Sequence, residues 1–247
     1  MNSHAFPLLR YYEIEKYHHG TFDADCDYPA AATGRGSPFH SLGIGGYIPY
    51  ITHFDAPELL EANSSLRFHV EAALIFHGKQ HPYSPKASRL FTAFLLVVDK
   101  AAREYSAGRE LLVAYASSSN NTKLFIDGLG RYETCVTTTK RAFRLFDRIK
   151  NEREIPSVER LTRNLALVYD KHITDIRDAI EHIDGDIVKG ELADGEPHLL
   201  LVDKAGTQLE LGGYALTFAA LHSAIVNLHR AGAVMIEALP ATTRTDA

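Results

Sequence analysis

Between residues 84 and 239 apolar side chains return at three- and four-residue steps, and this periodicity constrains the fold more than any other feature. Ser84-Pro85 is an N-cap and first-turn pair. Leu90, Phe91, Phe94, Leu95, Val98 and Ala101 then mark one helix face, which Gly108 is expected to end. A further helix is expected over 109–116, before the Ser117-Ser118-Ser119-Asn120-Asn121 loop. The next is predicted over 123–151, on Phe125, Leu129, Tyr132, Val136, Phe143, Phe146 and Ile149. Pro156-Ser157 opens the longest predicted helix, 158–188, and the last runs over 214–239. One stretch departs from this period. Residues 198–202 and 207–211 read as a hairpin joined through Asp203-Lys204-Ala205-Gly206, with Asp at the turn start and Gly at its left-handed position. The expectation is a mainly α fold, a helical bundle over 81–240 with a β-hairpin insertion near 198–211.

The first eighty residues follow a different rule. Gly34, Gly36, Gly43, Gly45 and Gly46, with Pro29, Pro38, Pro49 and Pro57, exclude long helices there. Interleaved aromatics, among them Tyr11, Tyr12, Tyr17, Tyr47 and Phe54, predict an irregular layer over 1–80 packed on the bundle. Asp55-Ala56-Pro57-Glu58 has the form of a capping box and predicts a short helix over 56–62. Residues 66–77 fit both a strand and a helix pattern. Residues 241–247 are expected to be a disordered tail.

Composition narrows the class. At 247 residues and 45% hydrophobic, the chain can bury a sizeable core, which excludes wholesale disorder. The longest apolar stretch, 90–98, is about half of a membrane span. The opening residues form no basic-then-apolar leader, and Cys26 and Cys135 make no metal or redox spacing. A cytoplasmic protein without a membrane partner is the expectation. The net charge of −5 supplies no global attraction for nucleic acid, so any such affinity has to be local.

Thirteen histidines against two methionines direct attention to acid–base chemistry. The most informative stretch is 169–188. Tyr169, Ile173, Ile176, Ile180, Ile183 and Ile187 recur as one stripe, and a step of about 100° per residue puts Arg177 and His182 off it, His182 facing away from the core. Asp178 and His182 stand four apart, within reach of each other. The same residues also read as a solvated helix surface carrying an ion pair between Arg177 and Glu181. On the helix the element is Arg177-Asp178-Ala179-Ile180-Glu181-His182, with a polar residue directly after the arginine. It resembles the Arg-x4-His signature of the HEPN superfamily (higher eukaryotes and prokaryotes nucleotide-binding), a likeness covering roughly 120–245. A second such spacing, Arg35 to His40, falls in a Gly/Pro stretch and not on a helix.

That resemblance implies a HEPN-like helical bundle and a metal-independent endoribonuclease of a toxin or antiviral system, acting on single-stranded RNA through its 2′-OH. It also implies a homodimer through the 158–188 helix, where the Arg and His of two chains share a cleft, and an antitoxin or regulatory partner. Arg177, Asp178 and His182 would be the catalytic residues, with no cofactor. Histidine has the pKa to take the 2′-OH proton, and a guanidinium the geometry to hold phosphorane charge. Asp178 would orient His182. Members that have lost catalysis bind nucleotides or partners only, and an inert helical nucleotide-binding or protein-interaction module is the alternative.

The charge pattern cuts both ways. Glu181, Asp184, Asp186, Glu191, Asp194 and Glu196 against Lys189 alone repel phosphate near the motif. Lys140, Arg141, Arg144 and Arg148 form a basic stripe that would track an RNA backbone, or else a solvated helix face. Glu133, earlier on that helix, is a lesser candidate. His18 and His19 with Asp23, Asp25 and Cys26, and the pair His77 and His81, are the alternative metal ligands. His77 and His81 have metal-ligand spacing for a helix, but Gly78 and Pro82 disfavour a helix there and no acidic third ligand stands close. The N-terminal set reads as a loop, and no metal is expected. His222 and His229 share a face of the last helix and are expected to be partly buried or at an interface. Phosphate-loop, dinucleotide, nucleophile-elbow and zincin motifs are missing.

Overall fold

The computed structural model describes residues 51, 53–59, 66, 83–117, 121–155, 164, 167–191 and 198–238. All belong to the compact unit of residues 38–247. Among them the fold is mainly helical. The elements are α1 (Pro85–Ser117), α2 (Thr122–Ile149), α3 (Asp170–Lys189), β1 (Leu201–Val202), β2 (Gln208–Leu211), β3 (Tyr214–Thr217) and α4 (Phe218–Glu237). The expectations for residues 1–50, for most of 66–77, for the start of the 158–188 helix and for the tail lie outside the described residues. Leu66 is helical and buried.

α1 and α2 run antiparallel. The pairs Tyr115 with Phe125, Gly108 with Tyr132, Ala101 with Cys135, and Phe94 with Phe146 ascend one helix as they descend the other. Gly108 does not end the first helix, which continues for 33 residues to Ser117. A Cβ there would stand 3.0 Å from the Tyr132 ring, and one on Gly128 would stand 2.9 Å from Leu112. Each glycine thus admits a large side chain of the facing helix. That contact offsets the roughly 1 kcal/mol that glycine costs inside a helix.

The expected 158–188 helix is interrupted: Asn164 and Leu167 are helical, Val168 and Tyr169 form a turn, and α3 begins beyond them. Tyr169 sits at φ −98°, ψ 2°, between the helical and extended wells, so the ladder starts afresh at Asp170, and Gly190 closes it at φ 68°. The isoleucine stripe is fully buried only at Ile173 and Ile176, with Ile180 and Ile183 partly buried against the core. Ile187 is 50% and Val188 87% exposed, because the end of α3 overhangs the core.

The hairpin forms with the register Leu201 to Glu210 and Val202 to Leu209. Asp203 accepts from the amides of Thr207 (2.7 Å) and Gln208 (3.1 Å), and Gly206 takes φ 72°. A third strand extends it to an antiparallel sheet of order β1-β2-β3. Residues 214–217, expected as helix, are that strand. Gly212 and Gly213, at φ 53° and 77°, make the left-handed two-residue turn that folds β3 back on β2. α4 therefore begins at Phe218, where the Thr217 hydroxyl accepts from the Ala220 amide at 3.1 Å.

The capping box at Asp55 is not used, and residues 53–59 form no helix. Three consecutive carbonyls that a helix would consume are instead engaged by side chains of the bundle. Arg109 Nε donates to Ala56 (2.7 Å) and Tyr105 Oη to Pro57 (3.0 Å), while His222 Nε2 lies 3.0 Å from the Glu58 oxygen. The Asp55 amide donates to Gly206. Phe54 enters an aromatic group with Tyr132 and Phe218. Tertiary partners have replaced local ones.

Candidate functional site

The basic stripe of α2 lines a groove of about 640 Å³, facing Lys100 of α1 and Arg177 of α3. Periodicity brings the α2 residues together: Lys140 and its neighbour Arg141 stand three, four, seven or eight positions from Arg144 and Arg148, and all four fall on one side of the helix. Lys140 is ion-paired to Asp170 at 2.9 Å, at the first turn of α3. Arg141, Arg144 and Arg148 are exposed. Lys100 and these three arginines have no ion-pair partner among the described residues. Glu133 lines the same groove, as the one carboxylate among its described residues. Lys100 was missed in the sequence, since nothing near it on α1 marks it; helix packing alone brings it opposite the stripe.

Arg177 is more enclosed than its place beside the stripe implied, with 16% of its side chain exposed. Its guanidinium holds Asp178 Oδ1 at 2.8 Å and forms a second ion pair with Glu181. The carboxylate expected to orient His182 is thus engaged by the arginine. His182 is exposed and lies in a separate hollow of about 420 Å³, with Asp175, Asp178, Asp184, Asp186, Lys189 and Tyr214. Five helical steps turn His182 about 140° from Arg177, which is why one chain presents the two residues to different cavities. Asp178 stands between them.

These surroundings set the available chemistry. Among its described residues the groove has six cations, two of them already ion-paired, against the carboxylate of Glu133, and so fits a polyanion. The hollow around His182 has, among its described residues, four carboxylates against Lys189, and so repels one. Among the described residues no three His, Cys, Asp or Glu side chains are placed to hold a metal ion. His18, His19, Asp23, Asp25, Cys26, His77 and His81 lie outside them. His222 is half-buried and engages Glu58, and His229 is buried. No described helix is long and apolar enough to cross a membrane.

Cys135 is a packing residue. It is fully buried between α1 and α2, its thiol donates to the Ala101 carbonyl at 3.4 Å, and burial pushes its pKa well above the usual thiol range. A thiol so protonated is a poor nucleophile.

Comparison of the chain with protein-family models, with curated proteins and with solved structures found no match. The resemblance to the HEPN signature therefore rests on residues 177–182 and the helix that carries them.

Proposed function

We propose that this protein is an RNA-binding helical protein whose groove between α1, α2 and α3 holds the phosphates of a single strand. The observation that carries this reading is the convergence of Lys100, Arg141, Arg144 and Arg148 beside Arg177 on one groove, in a chain of net charge −5. Charge of that sign has been concentrated locally, against the average of the molecule. Titration of a labelled single-stranded RNA into the full chain tests it. Micromolar binding at low salt, lost on replacing Arg144 and Arg148 together by glutamate, is the expected result; unchanged binding by that variant would place the RNA elsewhere.

Metal-independent cleavage is the second reading, favoured by an exposed histidine on the helix that carries Arg177. In it His182 takes the 2′-OH proton, and the oxygen attacks the adjacent phosphorus to form a 2′,3′-cyclic phosphate. The P–O5′ bond breaks with the 5′-oxygen taking a proton from water, while Arg177 holds the charge that develops. Since one chain turns the two residues to different cavities, the reading requires a homodimer whose second chain supplies His182 to the groove. A HEPN-like bundle and a role in a toxin or antiviral system belong to the same reading. Cleavage that survives EDTA and is abolished in both Arg177→Ala and His182→Ala supports it. Intact RNA after hours with the wild-type chain leaves binding as the function. Light scattering at tens of micromolar tests the homodimer, and a monomer there removes the shared site.

A further inference from the structure

We infer that the groove recognises the phosphate backbone alone, so that its ligand class is an extended polyphosphate ester of any base sequence. The inference rests on the RNA-binding reading and says what within the strand is recognised.

Three features of the lining carry it. First, no Phe, Tyr or His is among the described residues of the groove, although the chain has 12 Phe and 12 Tyr. Sequence-tolerant single-strand sites that engage bases do so by stacking them on aromatic rings. Among the described residues Tyr105, Tyr132, Phe54 and Phe218 pack on one another away from the groove, and Tyr214, which is exposed, lines the hollow of His182 instead. Second, the groove has no Asn or Gln among its described lining, and these amides are the ordinary readers of adenine edges. The Thr134 hydroxyl, also in the lining, already donates to the Gly130 carbonyl at 2.9 Å. Third, the cations are spaced for a backbone. Arg141, Arg144 and Arg148 climb one face of α2 in steps of about 4.5 and 6 Å, comparable with the separation of successive phosphates in an extended strand.

The count of available charges follows from the ion pairs. Lys140 is held by Asp170, and Arg177 by Asp178 and Glu181. Lys100, Arg141, Arg144 and Arg148 remain for incoming phosphates. Four contacts to a single strand give a slope of log K against log salt of about −2.8.

The test is competition on the full chain. A labelled oligouridylate is displaced by oligoadenylate, by single-stranded DNA of the same length and by inorganic polyphosphate, which has neither base nor sugar. All three are expected to compete within about threefold per phosphate, with the slope near −2.8 and reduced by about 0.7 in Arg144→Gln. Arg144→Lys, which keeps the charge, should restore the slope. RNA that binds but is not displaced by polyphosphate, or a preference above tenfold between base sequences, overturns the inference and leaves RNA binding standing. Polyphosphate that binds where RNA does not overturns the RNA reading and leaves phosphate recognition standing. Binding of neither overturns both.

Discussion

Gly108 and Gly130 carry opposite meanings although both lie inside long helices. Gly108 is pressed against the buried Tyr132 ring, which Tyr105, Phe54 and Phe218 hold in turn, whereas a Cβ on Gly130 meets nothing within 4 Å. Gly130→Ala should stabilise the protein by about 0.5–1 kcal/mol through helix propensity. Gly108→Ala should destabilise it by about 1–3 kcal/mol through overpacking, despite the same gain. Thermal melts of the pair check this, and equal shifts would show that the Tyr132 ring yields. Burial also acts on protons. It raises the phenol pKa of Tyr105 and Tyr132 and the thiol pKa of Cys135 above their ordinary values of 10.0 and 9.0. Groups that ionise more readily unfolded than folded contribute full stability below those ordinary values and lose it as pH rises toward the folded ones. Each loses about 1.4 kcal/mol per pH unit in that window. The urea midpoint should therefore be level up to about pH 9 and fall steeply above pH 10. A level midpoint at pH 10.5 would mean that these groups ionise in place.

At the level of elements, local signals succeeded where no competitor was near. The Asp203 turn, the Ser84-Pro85 start of α1 and the span of α2 were legible because their own residues satisfy their own backbone. The capping box at Asp55 failed because Arg109, Tyr105 and His222 claim the carbonyls of the next three residues. The signal for β3 was present in Gly212-Gly213, whose left-handed turn starts the strand, whereas helical periodicity alone put 214–217 in the last helix. Two substitutions test these junctions. Thr217→Ala removes the cap of α4 and should cost about 1 kcal/mol in chemical denaturation. Gly206→Ala should cost more, about 1–3 kcal/mol, because its φ is 72° and its Cβ would fall 2.1 Å from the His53 carbonyl. A cost for Gly206→Ala below that of Thr217→Ala would mean that the segment at 53–55 moves aside at little expense.

Across the molecule, α3 divides two electrostatic regions, the basic groove holding Arg177 and the acidic hollow holding His182. The two residues should consequently differ in their contribution to stability. His182 is exposed, so His182→Ala should shift stability by no more than about 0.5 kcal/mol. Arg177→Ala strips a largely enclosed side chain from Asp178 and Glu181, which are 47% and 39% exposed. Solvent screening of those carboxylates limits the expected loss to about 1 kcal/mol. Denaturation curves of the two variants give the comparison, and a larger loss in His182→Ala would show that the histidine is packed in the native assembly.

The sequence by itself determined the helical class, the hairpin and the placement of four cations on one side of α2, because each follows from a period or a turn read along a single element. Tertiary structure decided the rest. It alone brought Lys100 and Arg177 to that stripe, kept Gly108 and Gly128 inside continuous helices, and left the end of the isoleucine stripe uncovered. It also made the surroundings of Arg177 basic and those of His182 acidic, although the angle of about 140° between the two follows from their spacing on one helix. The physical reason is common to all four. Periodicity specifies the angle at which a side chain leaves its own helix, whereas the neighbouring helix or strand determines what that side chain meets.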